Sequence, residues 1–178
     1  MTIVRGVVGG LLGAAAMDAF SAAVSLARGG PEAQGAAPGL TRYGRGVQPA
    51  QADGTAAQDA AVKAGSAVFE TVAGHEPAPQ AKPLVGVAAH YGLGATAGLL
   101  YAVLARRMPA LRAGYGTFYG TLVWAIADEG IVPALGLSRK ARDLSPGIHA
   151  FALGGHFAYG ATLECVTAAG EPGAVRRG

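Results

Sequence analysis

The sequence predicts an all-α, polytopic membrane protein: four transmembrane helices built as two repeated hairpins, with an amphipathic helix in the long first loop. Three observations carry this. Of 178 residues, 51% are hydrophobic and only 14% charged, against about 25% charged in an ordinary globular domain. The charges gather in connectors and leave four runs of 22 to 24 residues nearly clear: 6–27, 83–105, 114–137 and 147–169. A bilayer core of about 30 Å needs about 20 apolar residues in a helix. Finally, polar marks recur at matching positions within these runs. One domain, 1–178, accounts for the whole chain.

The first run holds Gly6, Gly10 and Asp18, the last interrupting what would otherwise read as a signal-peptide core. It is expected to remain as a helix. None of the four runs shows the continuous charged face that a water-soluble helix displays, so the expected partner is the lipid bilayer.

The connector 28–82 follows. Its first half is rich in Gly, Pro and Ala without hydrophobic pattern and reads as irregular. Its second half predicts an amphipathic helix over 56–72, with Asp59, Lys63, Ser66 and Glu70 on one side and Ala61, Gly65, Val68 and Val72 opposite. Such a helix lies on the membrane surface or caps the bundle.

The second and fourth runs open alike: HYGLGAT at 90–96 and HFAYGAT at 156–162. The first and third share Gly6, Gly10 and Asp18 with Gly116, Gly120 and Asp128, at identical spacing. Residues four apart form one ridge of a helix. Gly6, Gly10, Ala14 and Asp18 make one ridge, and Gly116, Gly120, Trp124 and Asp128 its counterpart. His90, Gly94 and Gly98 make a third; His149, His156, Gly160 and Glu164 line a fourth. The glycines are expected to let helix backbones approach closely, the common packing device of membrane bundles.

Depth sorts the titratable groups. At about 1.5 Å per residue, Asp18 and His90 fall at similar distances from the same surface, as do Asp128 and His156, with Glu129 beside them. The candidate belt is Asp18, His90, Asp128, Glu129, His149, His156 and Glu164. An ionisable group in a spanning helix costs about 2.5–3.5 kcal/mol on insertion scales, so it turns inward and finds a partner. Three readings stay open. The belt holds the helices in register as a structural or assembly device, or it relays protons or a small solute, since imidazole titrates near pH 6.5. As a third, His90 and His156 bind a metal ion or haem. No cofactor is demanded, and no nucleophile with base and orienting group predicts an enzyme.

The single Cys165 excludes an intramolecular disulfide. A formal charge of +3, with basic residues at helix ends, points to lipid headgroups and not to nucleic acid. Near the helix ends, Arg5, Arg106, Arg107, Arg112, Arg176 and Arg177 oppose Arg28, Lys82, Arg139, Lys140 and Arg142. The excess places both termini in the cytoplasm. Exposed small-residue ridges leave room for a homo-oligomer.

The stretches HYGLGATAGLLYA, WAIADEGIVPALGLSRK and HAFALGGHFAYGATLE resemble the YagU-like family of small bacterial inner-membrane proteins. The matching positions are Asp128, Glu129, Pro133, Gly136, Leu137, His149, His156, Tyr159, Gly160 and Glu164. The resemblance implies a helical, multi-pass protein of the bacterial inner (plasma) membrane and brings no established activity with it.

Overall fold

Proline and glycine set where the helices begin and how near they come. The computed structural model describes residues 2–27, 55–138 and 140–169, and it is helical without a strand among them: α1 (Thr2–Ala27), α2 (Thr55–Ala73), α3 (Lys82–Leu104), α4 (Thr117–Ile126), α5 (Val132–Ala134) and α6 (Pro146–Ala168). Pro83 and Pro146 sit in the first turns of α3 and α6, where a missing N–H leaves no helical bond unmade. The expected runs 83–105 and 147–169 and the connector helix 56–72 match within one residue at each end, and α1 starts a turn earlier than expected. The irregular stretch 28–54, the basic residues Arg28, Arg139, Arg176 and Arg177, and the Asp59 side chain lie outside what is described.

The third run departs from expectation. In place of one helix over 114–137, a turn containing Gly114, Tyr115 and Gly116, all at positive φ, precedes α4. After Ile126 the chain widens into a π turn, Ala127–Ile131, before the single α turn of α5. Pro133 explains the widening: its ring clashes with the carbonyl four residues back, that of Glu129, in a regular helix. Gly136 at φ 72° then ends the helix. Its N–H donates to Pro133 O at 3.1 Å, and Leu137 N–H donates to Val132 O at 3.0 Å. That pair of bonds is a Schellman closure.

Helix α1 packs on α3 and α6, α4 packs on α6, and α2 packs on α3. The glycine ridges of α1 and α3 lie where these two helices come closest. A Cβ on Gly10 would lie 2.2 Å from Gly94 O, and one on Gly98 would lie 2.2 Å from Gly6 O. In the other antiparallel pair, a Cβ on Gly120 would lie 2.1 Å from His156 O, and one on Gly160 would lie 2.2 Å from Gly116 O. The two pairs share a device but not a register: Gly10 meets the carbonyl of Gly94, whereas Gly120 meets that of His156, one turn closer to the histidine.

Side chains are distributed unusually. The buried cluster is built on Tyr101, Tyr119, Tyr159 and Leu163. Many bulky aliphatic residues are exposed; Ile3, Leu93, Ile126 and Leu135 are each about 60% exposed or more. Two helices, Ile3–Ala27 and Lys82–Leu104, are long and apolar enough to cross a membrane, and only 22% and 17% of their most apolar windows is buried. Both are therefore largely exposed along those windows.

Helix α2 does not use its whole predicted apolar side. Gly65 seats on α3 with the Val85 carbonyl 2.2 Å from an added Cβ, and Ala60 is buried, but Val68 and Val72 are 66% and 84% exposed. Alanine and glycine, not valine, make the contact, because only small side chains fit so close an approach.

Gly120→Ala must push α4 from α6, and a loss of about 1–3 kcal/mol is expected. Gly92→Ala meets nothing within 4 Å and is expected to be neutral or to stabilise by up to about 1 kcal/mol through helix propensity. Thermal unfolding in detergent, followed by Trp124 fluorescence, checks both.

Candidate functional site

Three helices and the π turn bring acids against imidazoles near the bundle end that lies away from the start of α1 and the end of α6. His90 is eight residues into α3 and Asp18 nine residues before the end of α1, so both lie about 12–14 Å from that end at 1.5 Å per residue. His90 Nε2 stands 3.7 Å from Asp18 Oδ1. The Tyr91 hydroxyl donates to Asp18 Oδ2 at 2.9 Å. Tyr91 is a partner that sequence reasoning missed, although it follows His90 directly.

In the second pair, His156 Nδ1 is 3.8 Å from Asp128 Oδ2 and 2.9 Å from the carbonyl of Ala152. A carbonyl only accepts, so that Nδ1 carries a proton, and the neutral ring keeps Nε2 as an acceptor. His156 is the one buried polar or charged residue among those described, 6% exposed. Next to Asp128, Glu129 takes a separate partner: His149 Nδ1 lies 2.6 Å from Glu129 Oε1. Adjacent residues of a regular helix point about 100° apart. Here the wide turn sits under both acids, and each meets a histidine of α6.

These groups surround one cavity of about 190 Å³. His90, Asp128, Glu129, His149 and His156 line it, and Asp18 stands behind His90. Its remaining wall is mainly aliphatic, and α2 contributes Ala60, Ala61 and Ala64. The connector helix is thus part of the site's enclosure, a role not legible from its amphipathic pattern. Among the described residues, three side-chain atoms are buried without a hydrogen-bond partner: His90 Nε2, Trp124 Nε1 and Ser66 Oγ. Of their residues, only His90 lines the cavity.

Glu164 does not join the belt, which corrects the expectation from the shared ridge. It lies two turns beyond His156, about 12 Å along α6, near the opposite end. There it accepts from the Tyr101 hydroxyl and pairs with Arg112 Nη1 at 3.5 Å. Residues four or eight apart share a face, not a depth. Tyr101 stacks on Tyr119 with ring centroids 4.8 Å apart. Tyr119 and Tyr159 donate to the carbonyls of Ala97 and Gly94 at 2.6 and 2.7 Å.

Residues 63–165, more than half of the chain, match the family described as "Protein of unknown function (DUF1440)". The chain belongs to this family. No curated protein and no solved structure matches it. The DUF1440 match runs from within α2 to the last turn of α6. It therefore takes in the cavity's histidines, Asp128, Glu129 and Glu164, and leaves out α1 with Asp18. Among the described residues, no three His, Cys, Asp or Glu are grouped to hold a metal ion. At about 190 Å³ the cavity is smaller than the roughly 300–1,000 Å³ that drug-sized ligands occupy. A haem between His90 and His156 does not fit this DUF1440 chain.

The shorter contact makes Glu129–His149 the stronger couple. A double-mutant cycle with Glu129→Gln and His149→Phe is expected to give a coupling of about 1–3 kcal/mol in chemical unfolding. The Asp18–His90 pair, beyond hydrogen-bond distance, is expected to give less than about 1 kcal/mol in the same measurement.

Proposed function

We propose that this chain is a multi-pass inner-membrane protein whose acid–imidazole cavity passes protons or a small solute between the two sides. In this reading α1, α3, the segment α4–α5 and α6 each span the bilayer, as two hairpins of common design. The outward aliphatic side chains and inward tyrosines, acids and histidines support lipid as the surrounding solvent. The resemblance to YagU-like proteins supports the inner membrane. Arg5, Arg106, Arg107 and Arg112 lie at one end of the bundle and Lys82, Lys140 and Arg142 at the other. That distribution supports cytoplasmic termini.

The observation that carries the functional reading is the gathering of Asp128, Glu129, His90, His149 and His156 around one cavity. Imidazole titrates near neutrality and exchanges protons with a carboxylate through small movements. The pairs at 3.7 and 3.8 Å sit just outside hydrogen-bond range. A modest shift, or one water, closes each.

A second reading is a structural clasp. It draws on the 2.6 Å bond between His149 and Glu129, which ties α6 to the π turn. The readings separate on flux. In proteoliposomes under a pH gradient, the transport reading expects acidification that His90→Ala with His156→Ala lowers at least tenfold, the protein staying folded. Equal flux from both proteins, or none above empty vesicles from the unaltered chain, leaves the clasp.

A further inference from the structure

The acids of the cavity are not equally satisfied. Glu129 has His149 at 2.6 Å. Asp128 lines the cavity without a hydrogen bond to any described residue, its nearest ion partner being His156 Nδ1 at 3.8 Å. That nitrogen already donates to Ala152 O, so it does not serve the carboxylate. His90 lines the same cavity with a buried Nε2 that lacks a hydrogen-bond partner. Asp128 is only partly buried, its side chain 33% exposed, and a carboxylate that faces a cavity without a donor is the kind of group that a ligand completes.

Charge narrows the class. No Lys or Arg is among the described lining residues. Asp128 and Glu129 put two carboxylates on that wall. An anion would face them uncompensated; a cation is compensated. Shape narrows it further. Met17, Leu93, Val123, Leu144 and Ile148 are among the apolar residues of the remainder, a surface that favours hydrocarbon over a hydrated ion. Chemistry supplies the last restriction, because Asp128 needs an N–H or O–H donor, which a quaternary ammonium lacks.

We infer that the cavity binds a small alkylammonium ion, its –NH₃⁺ on the Asp128 carboxylate and its hydrocarbon against the aliphatic wall. This rests on the transport reading and names its solute class. His90 offers the ammonium a second polar partner, and His156 keeps Nε2 as an acceptor. One carboxylate holds either a proton or the ammonium. Binding to the protonated form therefore breaks one O–H bond, forms one ion pair and releases one proton per ligand, with no redox change. Proton and alkylammonium then compete for a single site, which is the minimum requirement for exchanging one against the other. The groups that set the competition around Asp128 are Glu129 on its own turn, His156 and His149 on α6, and His90 on α3 with Asp18 of α1 behind it. From α2, the described lining is alanine only.

The test uses the purified full chain in detergent, titrated with n-butylamine, n-butanol and butyrate, with heat and proton release read together. Butylammonium is expected to bind at least tenfold more tightly than butanol, to release about one proton, and to weaken about tenfold per pH unit while the carboxylate is protonated. Butyrate is expected not to bind. Asp128→Asn is expected to lose both the preference and the proton release. Equal binding of butanol and butylamine overturns the inference, as does an Asp128→Asn protein that binds and releases protons unchanged. If that variant does not fold, absence of proton release from the unaltered chain overturns it alone. Histidine-dependent proton flux without amine binding removes only the ligand. Amine binding as expected, with no flux of any kind, removes the transport reading and keeps the site.

Discussion

Contact of backbone on backbone governs this molecule. At Gly10, Gly98, Gly120 and Gly160 the facing carbonyl lies where a Cβ would be, 2.1 to 2.2 Å away. Helices that approach so closely leave no room between them for large aliphatic side chains. Many leucine, isoleucine and valine side chains are left at the perimeter, and the buried cluster is made of tyrosine and alanine with Leu111 and Leu163. The placement of Asp18, His90, Asp128 and His156 toward the inside is a consequence of the same packing, since each continues a glycine ridge by one or two turns.

That mechanism explains why much was legible in the sequence. A ridge of glycines at spacing four has one use in an apolar helix, and the run boundaries follow from charge, proline and length. Two of the acid–imidazole pairings followed from depth alone. What escaped was what depends on the exact path of the chain. Pro133 announces a disturbance, but not that the π turn would give Asp128 and Glu129 different histidines. Glu164 was grouped by face because sequence spacing carries angle more strongly than depth. The tyrosine core was missed because Tyr101, Tyr119 and Tyr159 sit among aliphatic residues that look like better core formers. In a bundle whose aliphatics face outward, the aromatic hydroxyls find carbonyls inside.

Helix α2 illustrates a further limit of pattern. Its amphipathic character is real, yet the face it buries is selected by close approach to α3 at Gly65 and Ala60 and not by hydrophobicity, so Val68 and Val72 remain outside. The outcome positions three alanines on the cavity wall. Among the described residues, α2 contributes only alanines to that wall. The chemistry of the cavity accordingly belongs to α3, the π turn and α6.

Saturation separates the two polar regions. Glu164 receives the Tyr101 hydroxyl and pairs with Arg112, and its side chain is 13% exposed. A buried carboxylate with a cation and a hydroxyl donor is a finished structural element, since removing either partner strands the other. At the far end, Glu129 is similarly provided for by His149, but Asp128 and His90 retain unused polar capacity beside the cavity. Sequences that fold to one structure tend to satisfy every buried polar group, and departures concentrate where a site must change state or accept something from outside. On that ground the Glu164 cluster holds the helices together, and the Asp128 and His90 end is the one proposed to take a ligand.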